Sequence, residues 1–292
     1  MTSKIYDCFT FYNEYELLDL RLRELYAHVD HFVIVESNQT FTNRAKPWNF
    51  DITQYPQYAD KIIYVQVEDM PNSTNAWDNE HHQRNAIVRG LADAADDDII
   101  IVSDVDEVLR PAAVAYLRTS EQTIFALRMP LYNFRFNYMR DTPGRYDVWA
   151  MAARHSVLGN ELGKITPNSL RDLRHSFHSA PHLMTNNGCE VVEHAGWHFS
   201  YFGDDAYVTD KIQNFSHQEA NRPELIEQIS VAASIRSRKE WDRNSDNHYV
   251  VVAVDDYFPQ TICNNLEHYT QYILEETETT ALAILPEYTY NN

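Results

Sequence analysis

Apolar positions along this chain follow two rhythms, one in each half. Residues 5–11 form an apolar run that predicts a strand, and residues 14–28 place Leu17, Leu18, Leu20, Leu22 and Leu25 near helical period, predicting an amphipathic helix. Further strand patterns cover residues 31–36 and 61–67, and a long helix is expected from about Asn79 to Ala95. Then comes the most apolar strand pattern, Asp98-Ile99-Ile100-Ile101-Val102. Strands alternating with helices imply an α/β fold whose doubly wound, mostly parallel sheet carries helices on both faces. In such sheets ligands bind beyond the carboxyl ends of the strands, which directs attention to Asn13, Glu14, Glu36 and residues 103–107. The second half is less regular. Residues 123–129, 145–153 and 191–202 look strand-like, residues 159–188 read as polar loop, and helical patterns dominate from Tyr207 onward. With no internal repeat or Pro/Gly linker, the expected organisation is a catalytic domain over residues 1–235. Residues 236–292 are expected to form a C-terminal helical extension packed on it.

Composition narrows the chemistry. An apolar content of 44% with 23% charged residues suits a folded globular chain. Only 7 glycines occur, and neither dinucleotide-fold nor P-loop glycine motifs are present, so those phosphate cradles are not expected. A net charge of −19 argues against nucleic-acid or anionic-membrane partners. An acidic protein handling a diphosphate needs local positive charge, commonly a divalent cation. Cys8, Cys189 and Cys263 are widely spaced and odd in number, which favours a reducing compartment. No signal peptide or apolar span of about 20 residues is seen, so a cytoplasmic or otherwise soluble chain is expected.

The predicted fourth strand ends in Ser103-Asp104-Val105-Asp106-Glu107, with three carboxylates in four residues. In extended backbone Asp104 and Asp106 point to one side, where they repel unless a cation lies between them. Mg²⁺ or Mn²⁺ takes oxygen ligands and also grips diphosphates. A solvated acidic turn is the plain alternative. Two enzyme classes can use such a motif. Haloacid-dehalogenase-like phosphatases also run an apolar strand into D-x-D-x-[TV]-L, which residues 104–109 fit; Asp104 would then be a nucleophile, with Gly203-Asp204-Asp205 and Asp210 as later acidic groups. Nucleotide-sugar transferases place several strands before the motif, as here.

Phe11-Tyr12-Asn13-Glu14, the segment from Phe32 to Phe41 reading F-V-I-V-E-S-N-Q-T-F, Ser103 to Glu107 and Ala195-Gly196-Trp197-His198 occur in that order. Together they resemble glycosyltransferase family 17, over roughly residues 4–220. The resemblance implies a GT-A-type fold, a nucleotide-sugar donor (UDP-GlcNAc first), Mn²⁺ or Mg²⁺, a glycan acceptor and inversion at the anomeric carbon. It also implies Asp106 as the first metal ligand, with Asp104 contacting the ion, its water or the ribose.

Other roles follow from position and residue type. His198 and His217 are candidate further metal ligands, since neutral imidazole suits Mn²⁺. Asp205 or Asp204 is the candidate general base, by analogy with other inverting transferases, and Glu107 the next; helix capping is the alternative for Asp204 and Asp205. Lys46, Arg84 and Lys211 are candidates to neutralise the diphosphate, although Arg84 stands i, i+4 from Glu80, as in a surface ion pair. Asn13, Glu14 and Glu36 lie where a uracil or ribose is expected. His175, His178 and His182 have helical metal spacing, but Pro181 favours acceptor binding or simple exposure. Tyr132 to Tyr138 reads either as an aromatic platform or as a strand packed inward. A carbohydrate-binding module without catalysis remains the non-enzyme alternative.

Overall fold

The structure is a computed structural model that describes residues 3–142, 146–179, 188–242 and 246–275. His182 of the histidine trio lies outside them. Four strands form the parallel half of the sheet: β1 (Ile5–Thr10), β2 (His31–Ser37), β3 (Ile62–Val67) and β4 (Ile99–Asp104). They lie in the order β3-β2-β1-β4, so the strand bearing the acidic motif is central. Its side chains alternate between two cores: Ile99 and Ile101 face the layer of α1 (Tyr15–Leu25) and α3 (Pro111–Thr119), while Ile100 and Val102 face the opposite layer. That opposite layer includes Ala86 and Ile87, just after α2 (Ala76–Asn85), and Leu170 of α4 (Pro167–Asp172). Helices therefore cover both faces, as period-2 burial of a central strand requires.

Beyond β4 the sheet turns mixed. β8 (Tyr146–Arg154) pairs antiparallel with β4 and β6 (Ile124–Asn133), and β7 (Tyr138–Arg140) links β6 to β11 (Tyr249–Val251). The aromatics from Tyr132 to Tyr138 are buried, with Phe136 against Phe199 and Phe202, so this stretch packs inward. Two local expectations need correction. The helix expected over 79–95 stops at Asn85 and continues as a tighter turn over Ala86–Gly90. The stretch read as polar loop holds α4 and α5 (Arg174–Ser179). Thr166 caps α4 through the Ser169 N–H, and Pro167 occupies its first turn, where a missing N–H costs nothing. Beyond residue 235, β11 joins the sheet edge. Glu24 of α1 accepts hydrogen bonds from the Gln260 and Thr261 N–H groups, tying the following helix to the body.

Candidate active site

The short strand β5 (Glu107–Leu109) directly follows the acidic motif and pairs antiparallel with β10 (Gly196–Ser200). Gly196 makes that pairing possible, because a Cβ there would sit 2.2 Å from the Val108 carbonyl oxygen. The register sets His198 opposite Glu107, and so delivers an imidazole from residue 198 to the end of β4. Ligand atoms of Asp106, Glu107 and His198 lie within 4.8 Å of one another. The His198 Nε2 is 3.6 Å from Asp106 Oδ1, and its Nδ1 is buried without a hydrogen-bond partner among the described residues. Two carboxylates and an imidazole suit Mn²⁺ or Mg²⁺ better than a soft metal.

This group opens into a cleft of about 350 Å³ whose lining includes Glu14, Lys46, Arg84, Asp104, Lys211 and His217. Cations flank the carboxylates. Lys211 Nζ donates to Asp106 Oδ2 at 2.8 Å. Asp104 accepts from Arg84 at 2.9 Å and from Arg171 of α4 at 2.8 Å, while Arg171 also binds Glu107. Burial alone would raise the Asp104 carboxyl, but Arg171, Arg84 and Arg174 outweigh it and hold it well below the usual carboxylate range. Burial likewise opposes ionisation of Asp106, and Lys211 and His198 reverse it. Glu14 differs: burial raises its carboxyl despite Lys211 and two N–H donors, those of Tyr12 and Asn13. Arg174, on α5, is lowered to about 10 by burial and by Arg171 beside it, and its Nε has no partner.

The motif's backbone is held from beneath. Arg21 of α1 is fully buried, pairs with fully buried Asp7 on β1, and donates through Nη1 to the carbonyls of Asp104 (2.8 Å), Val105 (3.3 Å) and Glu107 (3.0 Å). Its Nη2 also reaches Ser103 Oγ at 2.7 Å. One guanidinium thus shapes the acidic turn, because its planar fork carries enough donors to satisfy several acceptors together.

Several expected site residues sit elsewhere. Asp204 is the N-cap of α6 (Asp205–Asn214), accepting from the Tyr207 N–H, and Asp205 accepts from the Val231 N–H. Both line a separate groove with Arg135 and Ile235, away from the cleft, so the capping alternative describes Asp204 and neither aspartate is placed as a base. Asp210 binds Asn13 and Asn214, and the later acidic groups of the phosphatase reading do not join Asp104. Glu36 is fully buried and spent on structure, accepting from Asn49 N–H, Phe50 N–H, Tyr64 OH and Lys46. Asn13 donates to Asp210 and does not line the cleft. His217 lines the cleft but pairs with Glu219 and packs on Trp77, apart from the Asp106 group. Glu107 is at the site, with its carboxylate engaged by Arg171 and the Asp104 N–H. Arg84 has both its i, i+4 partner Glu80 and Asp104. Arg21, Arg171, Arg174, Trp149 and Tyr201 were not anticipated. A detectable signal existed for Arg21, which lies between Leu18 and Leu25 on the apolar face of α1.

The sequence profile of glycosyltransferase family 17 matches residues 1–157. The chain belongs to glycosyltransferase family 17. Among curated relatives, the human β-1,4-mannosyl-glycoprotein 4-β-N-acetylglucosaminyltransferase is 26% identical over 210 residues, covering 65% of this chain and 39% of the relative. The mouse enzyme of the same name is 25% identical, covering 65% and 38%. This family 17 chain therefore spans about two-fifths of the length of the curated relatives it matches. Solved structures similar to it include the glycosyltransferase GlyE of Streptococcus pneumoniae TIGR4 (TM-score 0.34, 13% identity, 65% of this chain and 46% of that one). Another is the inositol-1-phosphate CTP transferase of T. maritima (TM-score 0.33, 12% identity, 68% and 86%). Among the described residues, no helix is long and apolar enough to cross a membrane. Cys8, Cys189 and Cys263 are free thiols, the first two buried.

Proposed function

We propose that the chain is an inverting glycosyltransferase that moves a sugar, GlcNAc first, from a UDP-sugar to a glycan hydroxyl with Mn²⁺ or Mg²⁺ present. The observation carrying this reading is the convergence of Asp106, Glu107 and His198 at a cleft also lined by Lys46, Arg84 and Lys211. Asp106 and His198 would hold the divalent ion, with Glu107 third; a bound ion offsets negative charge on the departing diphosphate. Lys211 lies on Asp106 and would add a second positive charge beside the leaving group, where preorganised cations are most effective. Asp104 stands outside the Asp106, Glu107 and His198 group, held by Arg84 and Arg171, and its assigned role is to orient the donor. Family membership supports the reaction class, and the relatives' names support GlcNAc and a mannosyl acceptor.

A donor screen tests the proposal. With Mn²⁺, UDP-GlcNAc is expected to raise the melting temperature and to release UDP in the presence of a mannosyl oligosaccharide. Phosphate release from simple monoesters, lost in Asp104→Asn, would favour the phosphatase instead. Oligosaccharide binding with no turnover of any UDP-sugar would leave a binding module.

A further inference from the structure

The cleft contains one carboxylate that comes from well outside the matched segment. Glu240 follows the helix Val231–Ser237 and lines the same cavity as Asp106, His198 and Tyr201. Tyr201 and Lys211 line that cavity too, so Glu240 opens onto the same space as the acidic motif. Among the other cleft carboxylates, Glu80, Asp104, Asp106 and Glu107 are each ion-paired to an Arg or Lys, and Glu14 accepts two backbone N–H groups at Oε2, whereas Glu240 makes no ion pair among the described residues. Glu240 accepts at Oε2 from Asn247 Nδ2 at 2.8 Å, and its Oε1 accepts nothing among the described residues. Its backbone is nonetheless fixed. Tyr138 OH donates to the Ser234 carbonyl at 2.9 Å and lies 3.3 Å from the Lys239 carbonyl, Ser234 Oγ donates to the Glu240 carbonyl at 3.3 Å, and Trp241 is buried against Tyr201.

Beside it the cleft offers unsatisfied polar atoms. Asn133 is 1% exposed and its carboxamide donates to Tyr249 OH, leaving Oδ1 without a partner among the described residues. Trp149 Nε1 is also buried and unpartnered, and its ring packs on His198. Buried polar atoms left open on a cavity wall call for a hydrogen-bonding ligand, and both Asn133 and Trp149 line this cavity.

We infer that Glu240 is the general base of the transfer and that Asn133 and Trp149 seat the accepting sugar; this rests on the sugar-transfer reading above. The acceptor hydroxyl oxygen bonds to the anomeric carbon while the bond from that carbon to the diphosphate oxygen breaks. The bonding pair leaves with UDP, and the hydroxyl proton passes to Glu240 Oε1 and then to solvent. The test uses the full chain with Mn²⁺, UDP-GlcNAc and a mannosyl oligosaccharide. Glu240→Gln should lower kcat about 10²- to 10⁴-fold while the KM for UDP-GlcNAc and the UDP-induced melting shift stay unchanged. Asn133→Ala should raise the acceptor KM about tenfold, the loss expected for one buried hydrogen bond, with donor KM unaffected. Glu240→Gln turning over within about threefold of wild type would overturn the inference, being far below a base's contribution. Should the Gln variant lose the UDP-induced shift, Glu240→Asp decides: activity well above the Gln variant supports a carboxylate base, and equal loss refutes it. A wild-type chain that transfers from no UDP-sugar would instead remove the sugar-transfer reading itself.

Discussion

Replacing Arg21 by Met should be the most damaging single change near the acidic motif, although Arg21 never reaches the cleft surface. The substitution keeps an apolar stem of similar length and deletes the guanidinium. Fully buried Asp7 then loses its partner, and breaking a buried ion pair from one side costs about 3–5 kcal/mol. Three carbonyls and the Ser103 hydroxyl also lose a donor, each worth about 1–3 kcal/mol when left buried and unsatisfied. Relaxation of the turn and entry of water recover part of this, so a net loss of at least about 4 kcal/mol is expected, a large fraction of the stability of a typical domain. Equilibrium urea unfolding followed by tryptophan fluorescence measures it. Asp7→Asn in the same background supplies the control. Because the single Arg21→Met change strands a charge, the double variant should lose about 2 kcal/mol less than the sum of the two singles. A loss below about 1 kcal/mol for Arg21→Met, or strict additivity in the double variant, would refute the claim that this pair braces the turn.

Two further outcomes follow from the site's surroundings. Asp204→Ala removes the N-cap of α6 and should lower stability by about 1 kcal/mol in a denaturation curve while leaving UDP-GlcNAc turnover intact; a collapse of turnover would return Asp204 to the chemistry. Burial, and then the nearby Arg110, lower the His194 imidazole below its usual 6.5, so the folded chain prefers it neutral. The unfolded state then binds more protons just below pH 6.5, and the stability associated with His194 is full above that value and lost as pH falls through the folded pKa. Melting temperatures across pH 7.5 to 5 should show this slope, and His194→Asn, which tolerates the left-handed backbone at φ 50°, should flatten it; an unchanged slope would refute the assignment.

The first half of the fold is legible because β1, β2 and β4 are buried on both faces. Continuous apolar runs such as Ile99-Ile100-Ile101-Val102 mark them almost to the residue, and their carboxyl ends point to the cleft. Strand ends, charge, the acidic motif and the family resemblance single out Asp104, Asp106, Arg84, Lys46 and Lys211, and all five line one cavity. The contribution of Arg171 and Arg174 was hidden by the polar composition of residues 159–188, although Thr166-Pro167 carries a helix-start signal. Asp204 and Asp205 read equally as caps or as bases because a carboxylate beside a cap and one beside a substrate have the same local sequence. What separates them is the direction of the chain after β10, which the left-handed turn at Tyr201 (φ 48°) sets. Glu240 was out of reach for a similar reason. Its place in the cleft depends on Tyr138 anchoring a segment about a hundred residues away in sequence.

In the proposed reaction Asp106 is the pivot of a divalent-ion-dependent sugar transfer. Release of UDP from UDP-GlcNAc, measured with a mannosyl oligosaccharide across a Mn²⁺ titration for wild type and Asp106→Ala, tests it most directly. Wild type should show saturable Mn²⁺ dependence, abolished by EDTA. Asp106→Ala should lose about 10²- to 10³-fold, the size found when one preorganised group stabilising transition-state charge is removed. Full UDP release in EDTA, or an Asp106→Ala chain as active as wild type, would contradict it.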